Sequence, residues 1–298
     1  MNESKDKINE EIDLLEVGAN IFKYKKFIFF FTALAAILSV VIALSLPIRY
    51  KSTAFIIESE PVSNSKLGGM AGLVGIDLGG QDANKTAVAL QVLKSRKFFY
   101  DFDNKRNLTP LLFISDWDKE TDSLTWPDSY NLQNNIWLPE TKPSQYYVYE
   151  EVYKKLLGVS QDPETGIISI SFTHASPNIS KKIVDWLIED LNTKLKEDDL
   201  YEAEKSIEYL SLELNETASA DIRNLIISMI KNKLQVKTLA NSRKDYRFKT
   251  LDPAIAPDMK HSPVRSIICI TITLIGFFLS LIISLIYHYI YMYYKKKA

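Results

Sequence analysis

Cysteine is nearly absent from this chain: Cys269 stands alone, inside an apolar run. A fold stapled by disulfides is thereby excluded, and either side of a bacterial inner membrane suits such a sequence. Histidine is almost as scarce. His174, His261 and His288 lie far apart in the sequence, at no metal-ligand spacing. No G-x-S-x-G or H-E-x-x-H occurs, and no thiol nucleophile is available outside the apolar run. An excess of one charge is missing too. A formal net charge of −1 argues against a strongly basic nucleic-acid binder and against an acidic disordered protein. No cofactor, metal or nucleic acid is expected from these residues.

Glycine is also sparse, with ten in 298 residues, yet six crowd into "KLGGMAGLVGIDLGGQ": Gly68, Gly69, Gly72, Gly75, Gly79 and Gly80. Such density raises the question of a phosphate-binding loop. A P-loop reads G-x-x-x-x-G-K-[ST], in which the Lys and the hydroxyl meet phosphate and Mg²⁺. Gly75 and Gly80 have the first spacing, but Gln81 and Asp82 stand where Lys and Ser/Thr belong. G-x-G-x-x-G is absent as well, so the cluster reads as an assembly feature or hinge. Glycine tolerates close backbone approach and unusual φ values. Two placements stay open: packed against the rest of the domain or another subunit, or in a mobile loop.

What is present is segregated. "FIFFFTALAAILSVVIALSL", residues 27–46, holds no Asp, Glu, Lys or Arg, and neither does the stretch from Ser266 to about Ile290. Twenty helical residues rise about 30 Å, the thickness of a bilayer's hydrocarbon core. Both stretches are predicted to be transmembrane helices. The first has too long an apolar core and too poor a cleavage site for a signal peptide. Lys23, Lys25 and Lys26 before it, and Lys295, Lys296 and Lys297 after the second, outnumber the bases on the opposite flanks. Both termini are therefore expected in the cytoplasm. The organisation expected is a cytoplasmic leader at 1–26, spans at 27–46 and 266–290, a non-cytoplasmic domain at 47–265 and a tail at 291–298. In the leader, Ile12, Leu15, Ala19 and Phe22 suit either an amphipathic helix at the membrane surface or a plain extension of the span.

Within the domain, "YKSTAFIIES" reads as a strand and "ANKTAVALQVLKSRKFFYDF" as a helix. Residues 102–145 read as a long ordered excursion, because Trp117, Trp126 and Trp137 are much apolar area to leave exposed. Those rings read as local core before they read as a sugar-stacking platform. "YYVYEEVYKKLLG" reads as a helix closed by Gly158, and "GIISISFTH" as a strand. A long helix is expected from Ser176, with Pro177 in its first turn and Ile183, Leu187, Leu191 and Leu195 in a stripe. A second helix at 220–239 folds back on it as a stalk over about 176–240. The pairs Asp198–Asp199 and Glu202–Glu204 then sit on a solvated helix face. "YRFKTLDPAIAPD" gives a last strand, which can share a membrane-proximal sheet with the first. The five tyrosines of "YHYIYMYY" read as an interfacial aromatic belt. The expected fold is α+β: two transmembrane helices flanking a domain with a membrane-proximal mixed sheet and an extended helical hairpin.

Several stretches, in order, resemble the polysaccharide co-polymerase family, the Wzz-type chain length determinants. They are the leader "EIDLLEVGANIFKYKKFI", the segment "GLVGIDLGG", "SRKDYRFKTLDPA" at 242–254, and "APDMKHSPVRSIICITITLIG". The last carries a junction of Pro253, Pro257, Pro263 and Arg265 leading to Gly276 in the second span. Proline fixes φ and restricts the residue before it, so a stiff connector enters the span. Gly276 with Ser280 makes a small-xxx-small pair suited to close helix contact. The resemblance implies a periplasmic domain and a non-enzymatic regulator of the chain length of O-antigen or a related polysaccharide. Its implied partners are further copies of itself in a ring, a membrane polymerase of the Wzy type, the growing lipid-linked polysaccharide and membrane lipids. The alternative implied is an adaptor in capsule or exopolysaccharide export that works with a separate tyrosine kinase. A signalling receptor is disfavoured, since neither the leader nor the tail holds an output domain.

Overall fold

The computed structural model describes residues 22–59 and 81–297. The glycine-rich stretch Gly68–Gly80 and the leader helix predicted around Ile12 lie outside them. The chain divides into two units, one formed by Arg49–Lys260 and one by Met1–Ile48 with His261–Ala298.

In the second of these, helix α1 (Lys25–Ser45) comes from the N-terminal part of the chain. Its partner, a helix at Arg265–Lys297, comes from the C-terminal part, and the two pack along each other. Both are long and apolar enough to cross a membrane, with mean hydropathies of 2.8 and 2.6. The buried side chains along this pair are mostly small: Ser39 and Ala43 in α1, with Ile28, and Ser280 and Ser284 in its partner, while Gly276 faces Ala35. The large apolar residues, among them Phe30, Ile37 and Ile270, point outward and are exposed. This inversion suits lipid, where close backbone packing rather than burial of bulk holds helices together.

The central unit opens with β1 (Tyr50–Glu58), whose alternation buries Ser52, Ala54 and Ile56. The single helix expected at 83–102 is two, α2 (Gln81–Leu93) and α3 (Arg96–Arg106). Ser95 interrupts it by accepting a hydrogen bond from the Phe98 N–H, a start signal for a new helix inside a continuous apolar pattern. A short α4 (Leu108–Leu112) follows, and Asp103 accepts from the Thr109 N–H at its start. The excursion then makes two small hairpins, β2 (Asp116–Asp118) with β3 (Ser123–Thr125), and β4 (Tyr130–Asn131) with β5 (Ile136–Trp137). Next, α5 is built of Gln145–Tyr147, a π-helical Val148–Tyr153 and Lys154–Leu156.

Gly158 does not close that helix. It lies in a strand the sequence reading missed, β6 (Leu157–Gln161), opposite Ser171 of β7 (Ile168–His174). A Cβ at Gly158 would stand 2.5 Å from the Ser171 Oγ, so glycine here admits a neighbouring strand. The β6–β7 turn is set by Asp162, which accepts from the Glu164 N–H and the Thr165 hydroxyl, and by Gly166 at φ 71.

After β7 comes the long α6 (Pro177–Glu216), unbroken over 40 residues as its stripe indicated, with Ser176 as N-cap. Three residues later α7 (Ala220–Ser242) runs back along it, held by Lys233–Glu202 and Lys237–Glu204 ion pairs. β8 (Phe248–Asp252) completes the sheet, and the C-terminal helix Arg265–Lys297 is α8.

The sheet order is β6-β7-β1-β8, so the first and last strands of the unit share one sheet, as expected, and lie side by side in it. The expected mixture of directions is corrected, because every pairing is antiparallel. A tight turn joins β6 to β7, and α6 is laid back across β1 and β7. The α6–α7 hairpin then returns the chain to the Glu58 end, from which β8 runs antiparallel to β1. The core lies between the sheet and the first half of α6, with Ile56, Ile170, Phe172, Ile183, Leu187 and Phe99 at its centre.

Candidate functional site

The junction residues fall into both units. Pro253 and Pro257 follow β8 in the central unit, where Ala254 is buried and the Ile255 carbonyl accepts from the Ser52 hydroxyl. Pro263, Arg265 and Gly276 belong to the helical unit. The Ser262–Pro263 peptide is cis, and Arg265 begins α8 with its Nε buried and unpartnered. Gly276 faces Ala35 of α1 so closely that a Cβ on it would collide with the alanine's. Ala35 is thus the residue of α1 that Gly276 packs against. At one end of this pair, Tyr24 meets Tyr287 and His288 edge-on, with centroids 5.9 and 6.2 Å apart.

Most polar side chains inside the central unit already have structural partners. Asp190 on α6 accepts from Lys105 at 2.7 Å and from Arg106 at 2.7 and 3.0 Å. Burial pushes the Asp190 carboxyl up, but the hydrogen bonds and charges of Arg106 and Lys105 together leave it below the usual carboxylate range. Arg106 also lies 5.2 Å from the Trp186 ring centroid, and Lys182 lies 4.8 Å from it. Buried Tyr153 donates its hydroxyl to the Leu93 carbonyl, and burial raises its pKa. The amide of Asn192 serves both backbone groups of Phe248.

His174 is fully buried at the end of β7. Its Nδ1 accepts the Ser176 N–H at 3.0 Å, so the ring proton is on Nε2, which donates to the Leu111 carbonyl at 2.8 Å. Burial holds this imidazole down to about 4, aided by the nearby Arg49 charge and opposed by the Leu111 carbonyl. Burial also lowers Arg49 itself, against the attraction of Asp116.

The excursion tryptophans pack on their own neighbours. Trp126 stacks on Tyr130 at 5.7 Å, Tyr130 meets Trp137 at 5.3 Å, and Trp137 meets Phe113 edge-on. That supports the local-core reading over a free stacking platform. An open cleft of about 550 Å³ lies between α6 and the approach to β8, lined by Asp185, Glu189, Lys196, Glu197, Lys244 and Tyr246 among others. Tyr246 is tied there by its hydroxyl to Asp199. Among the described residues, no three His, Cys, Asp or Glu side chains group so as to hold a metal ion.

The roles of Asn192, Asp190 and His174 escaped sequence reading, since each depends on a partner more than 50 residues away. For His174, the only local sign was its place just before the Ser176–Pro177 helix start.

Residues 10–102 match the family model described as "Wzz: Chain length determinant protein". No curated protein matches the chain. Among solved structures, a full-length bacterial polysaccharide co-polymerase is similar at 14% identity, covering 94% of this chain and 99% of its own, with a TM-score of 0.40. A fragment of WzzB, a polysaccharide co-polymerase from Salmonella Typhimurium, is similar at 11% identity, covering 72% and 99%, with a TM-score of 0.31. A point mutant of the Shigella flexneri lipopolysaccharide O-antigen chain-length regulator is similar at 12% identity, covering 71% and 99%, with a TM-score of 0.21. Residues 10–102 are therefore similar to the Wzz family of chain length determinant proteins.

Proposed function

We propose that this protein is a non-enzymatic regulator of polysaccharide chain length, with O-antigen of lipopolysaccharide as its polymer, and that it acts as an inner-membrane homo-oligomer beside a Wzy-type polymerase. Its spans are 27–46 and 266–290, with a cytoplasmic leader at 1–26 and tail at 291–298, and with 47–265 in the periplasm. The junction of Pro253, Pro257, Pro263 and Arg265 couples the domain to the second span. The glycine-rich segment serves assembly or acts as a hinge.

The observation that carries the oligomeric reading is the α6–α7 hairpin. Beyond Asn192, only Ala203 and Leu210 of α6 are buried, and α7 buries only Ile226 and Ala240. Tyr201, Tyr209, Leu212, Ile222, Leu225 and Met229 are left exposed. A monomeric soluble surface does not ordinarily carry so many large apolar side chains in one element, and a second copy packed alongside would cover them. Outward-facing apolar residues on α1 and α8 support the membrane reading.

The test is deletion of the gene followed by gel analysis of surface polysaccharide. Loss of the modal length, restored by the intact gene, is expected. A length distribution identical to wild type would sink the proposal.

A further inference from the structure

His174 joins three elements at one corner: the end of β7, the N-cap of α6 and the last turn of α4. Both ring nitrogens are committed, Nδ1 to a backbone donor and Nε2 to a backbone acceptor. This pattern fits only the neutral Nε2–H tautomer. A proton added at Nδ1 would point at the Ser176 N–H, replacing a hydrogen bond with two opposed donors. It would also create a second cation beside Arg49, whose own Nη1 is buried without a hydrogen-bond partner.

The groups bearing on the ring can be named element by element. From α4 it meets the Leu111 carbonyl, and from α6 the Ser176 N–H. Tyr50 is its register partner on β1, Arg49 precedes that strand, and Asp116 of β2 is Arg49's counter-charge. Of these groups only the Leu111 carbonyl accepts a hydrogen bond from the ring, and the Asp116 charge acts on Arg49. Relief therefore requires the ring to leave for water, giving up Leu111.

The two sides of this joint are unequally held. The start of α6 has independent ties: the Ser180 hydroxyl donates to the Phe172 carbonyl at 2.6 Å and accepts the Ser52 N–H at 2.9 Å. Ile183, Val184 and Leu187 behind it are fully buried. Leu112 and Ile114 stay anchored in the core, and past them the excursion holds the same corner through Trp117 against Tyr50, through Leu124 and Trp126 half-buried against the core, and through a long 3.4 Å contact between Asn178 and Asp122. Its outer hairpin exposes Leu132, Ile136 and Leu138.

We propose that His174 is an acid-operated latch: proton uptake opens the corner and frees the excursion carrying β2 to β5 from the end of the sheet, while β7 and α6 stay docked. The ordinary histidine range, near 6.5, marks where opening can begin, and the folded value of about 4 marks where it is complete. The inference rests on the geometry of the central unit and not on the proposed function, so the two fail separately.

The experiment is hydrogen–deuterium exchange of the full-length protein in detergent micelles between pH 7.5 and 4, corrected for intrinsic rates. Tryptophan emission is recorded in parallel, since Trp117, Trp126 and Trp137 all report on the excursion. Protection in peptides covering 116–140 is expected to fall by at least about tenfold, reversibly, with a midpoint between about pH 4 and 6. Peptides from β7 and from 180–195 should keep theirs. His174→Gln retains a donor for Leu111 and cannot titrate, so its transition should vanish. Arg49→Gln removes the facing charge, so an imidazolium is better tolerated in place and the opening midpoint should move down by roughly half to one pH unit. The proposal is overturned by an unchanged transition in His174→Gln, by simultaneous loss of protection throughout the unit, or by no change down to pH 4. If His174→Gln does not fold, an unmoved midpoint in Arg49→Gln overturns it equally.

Discussion

Asn192 of α6 and Phe248 of β8 exchange two hydrogen bonds across 56 residues of chain: the Asn Nδ2 donates to the Phe248 carbonyl at 2.9 Å, and the Phe248 N–H donates to the Asn Oδ1 at 2.8 Å. The Arg247 N–H reaches the same oxygen at 3.0 Å. A side-chain amide thus pairs with the start of β8 much as a further strand would. Asn192→Ala would orphan a buried N–H and a buried carbonyl, and is expected to cost about 2–4 kcal/mol. Thermal unfolding of the detergent-solubilised protein checks this, and a loss below about 1 kcal/mol would show that water substitutes for the amide.

Asp190 anchors α3 to α6 through Lys105 and Arg106. Asp190→Asn removes the charge while keeping the shape, and should cost about 2 kcal/mol, less than for a fully dry pair because Lys105 is half exposed. The sign of the pH dependence follows from a folded pKa held below the unfolded one. Its stabilisation is complete above the ordinary aspartate range near 4 and is lost as pH falls through the lower folded value. The wild type should therefore lose this contribution only in strong acid, and Asp190→Asn should show a correspondingly flatter acid limb. An identical limb in both proteins would contradict the assignment.

Gly276→Leu is expected to separate α1 from α8, since Ala35 already occupies the space. In a Cys269→Ser background, cysteines at positions 24 and 288, where two rings now touch, should cross-link on oxidation. The cross-link should drop at least about tenfold with Gly276→Leu and less with Gly276→Ala. Equal yields in all three proteins would contradict a glycine-set seam.

On the exposed hairpin, Leu212→Glu with Leu225→Glu should shift the protein toward monomers in light scattering while leaving its helical circular dichroism intact. Both side chains are exposed, so little monomer stability is at stake. Persistence of the same oligomer would move the subunit contact elsewhere.

Pro263→Ala together with Arg265→Ala is expected to change the modal polysaccharide length while membrane insertion persists. A normal ladder from a normally inserted variant would leave the junction without a regulatory part.

Sequence patterning exposed those elements whose signals are local. The two apolar spans, the alternation in "YKSTAFIIES" and the Ser176–Pro177 start of α6 each announce themselves within a turn or a strand's length. The α2–α3 break was hidden because Ser95 caps a helix inside an unbroken apolar pattern. Strand β6 was hidden because Gly158 resembles a helix terminator when its neighbour Ser171 is not in view. Strand direction could not be read either, since it depends on where the α6–α7 hairpin returns the chain. The tryptophans were legible as apolar area but not as a chain of ring contacts, for Phe113, Trp126, Tyr130 and Trp137 meet only after two hairpins form.

Because β1 and β8 lie side by side, residues between Glu58 and Phe248 form a loop whose two ends are fixed by the same few backbone bonds. The α6–α7 hairpin leaves and rejoins that loop at one end of the sheet, so its length is a free parameter. Whole helical turns can be added to both arms, or removed, without shifting either strand by a register position. A scaffold of this kind lets reach evolve independently of attachment: one base can carry a long arm in one protein and a short arm in another, and exchanging arms between them should need only matched cuts near Asn192 and Phe248.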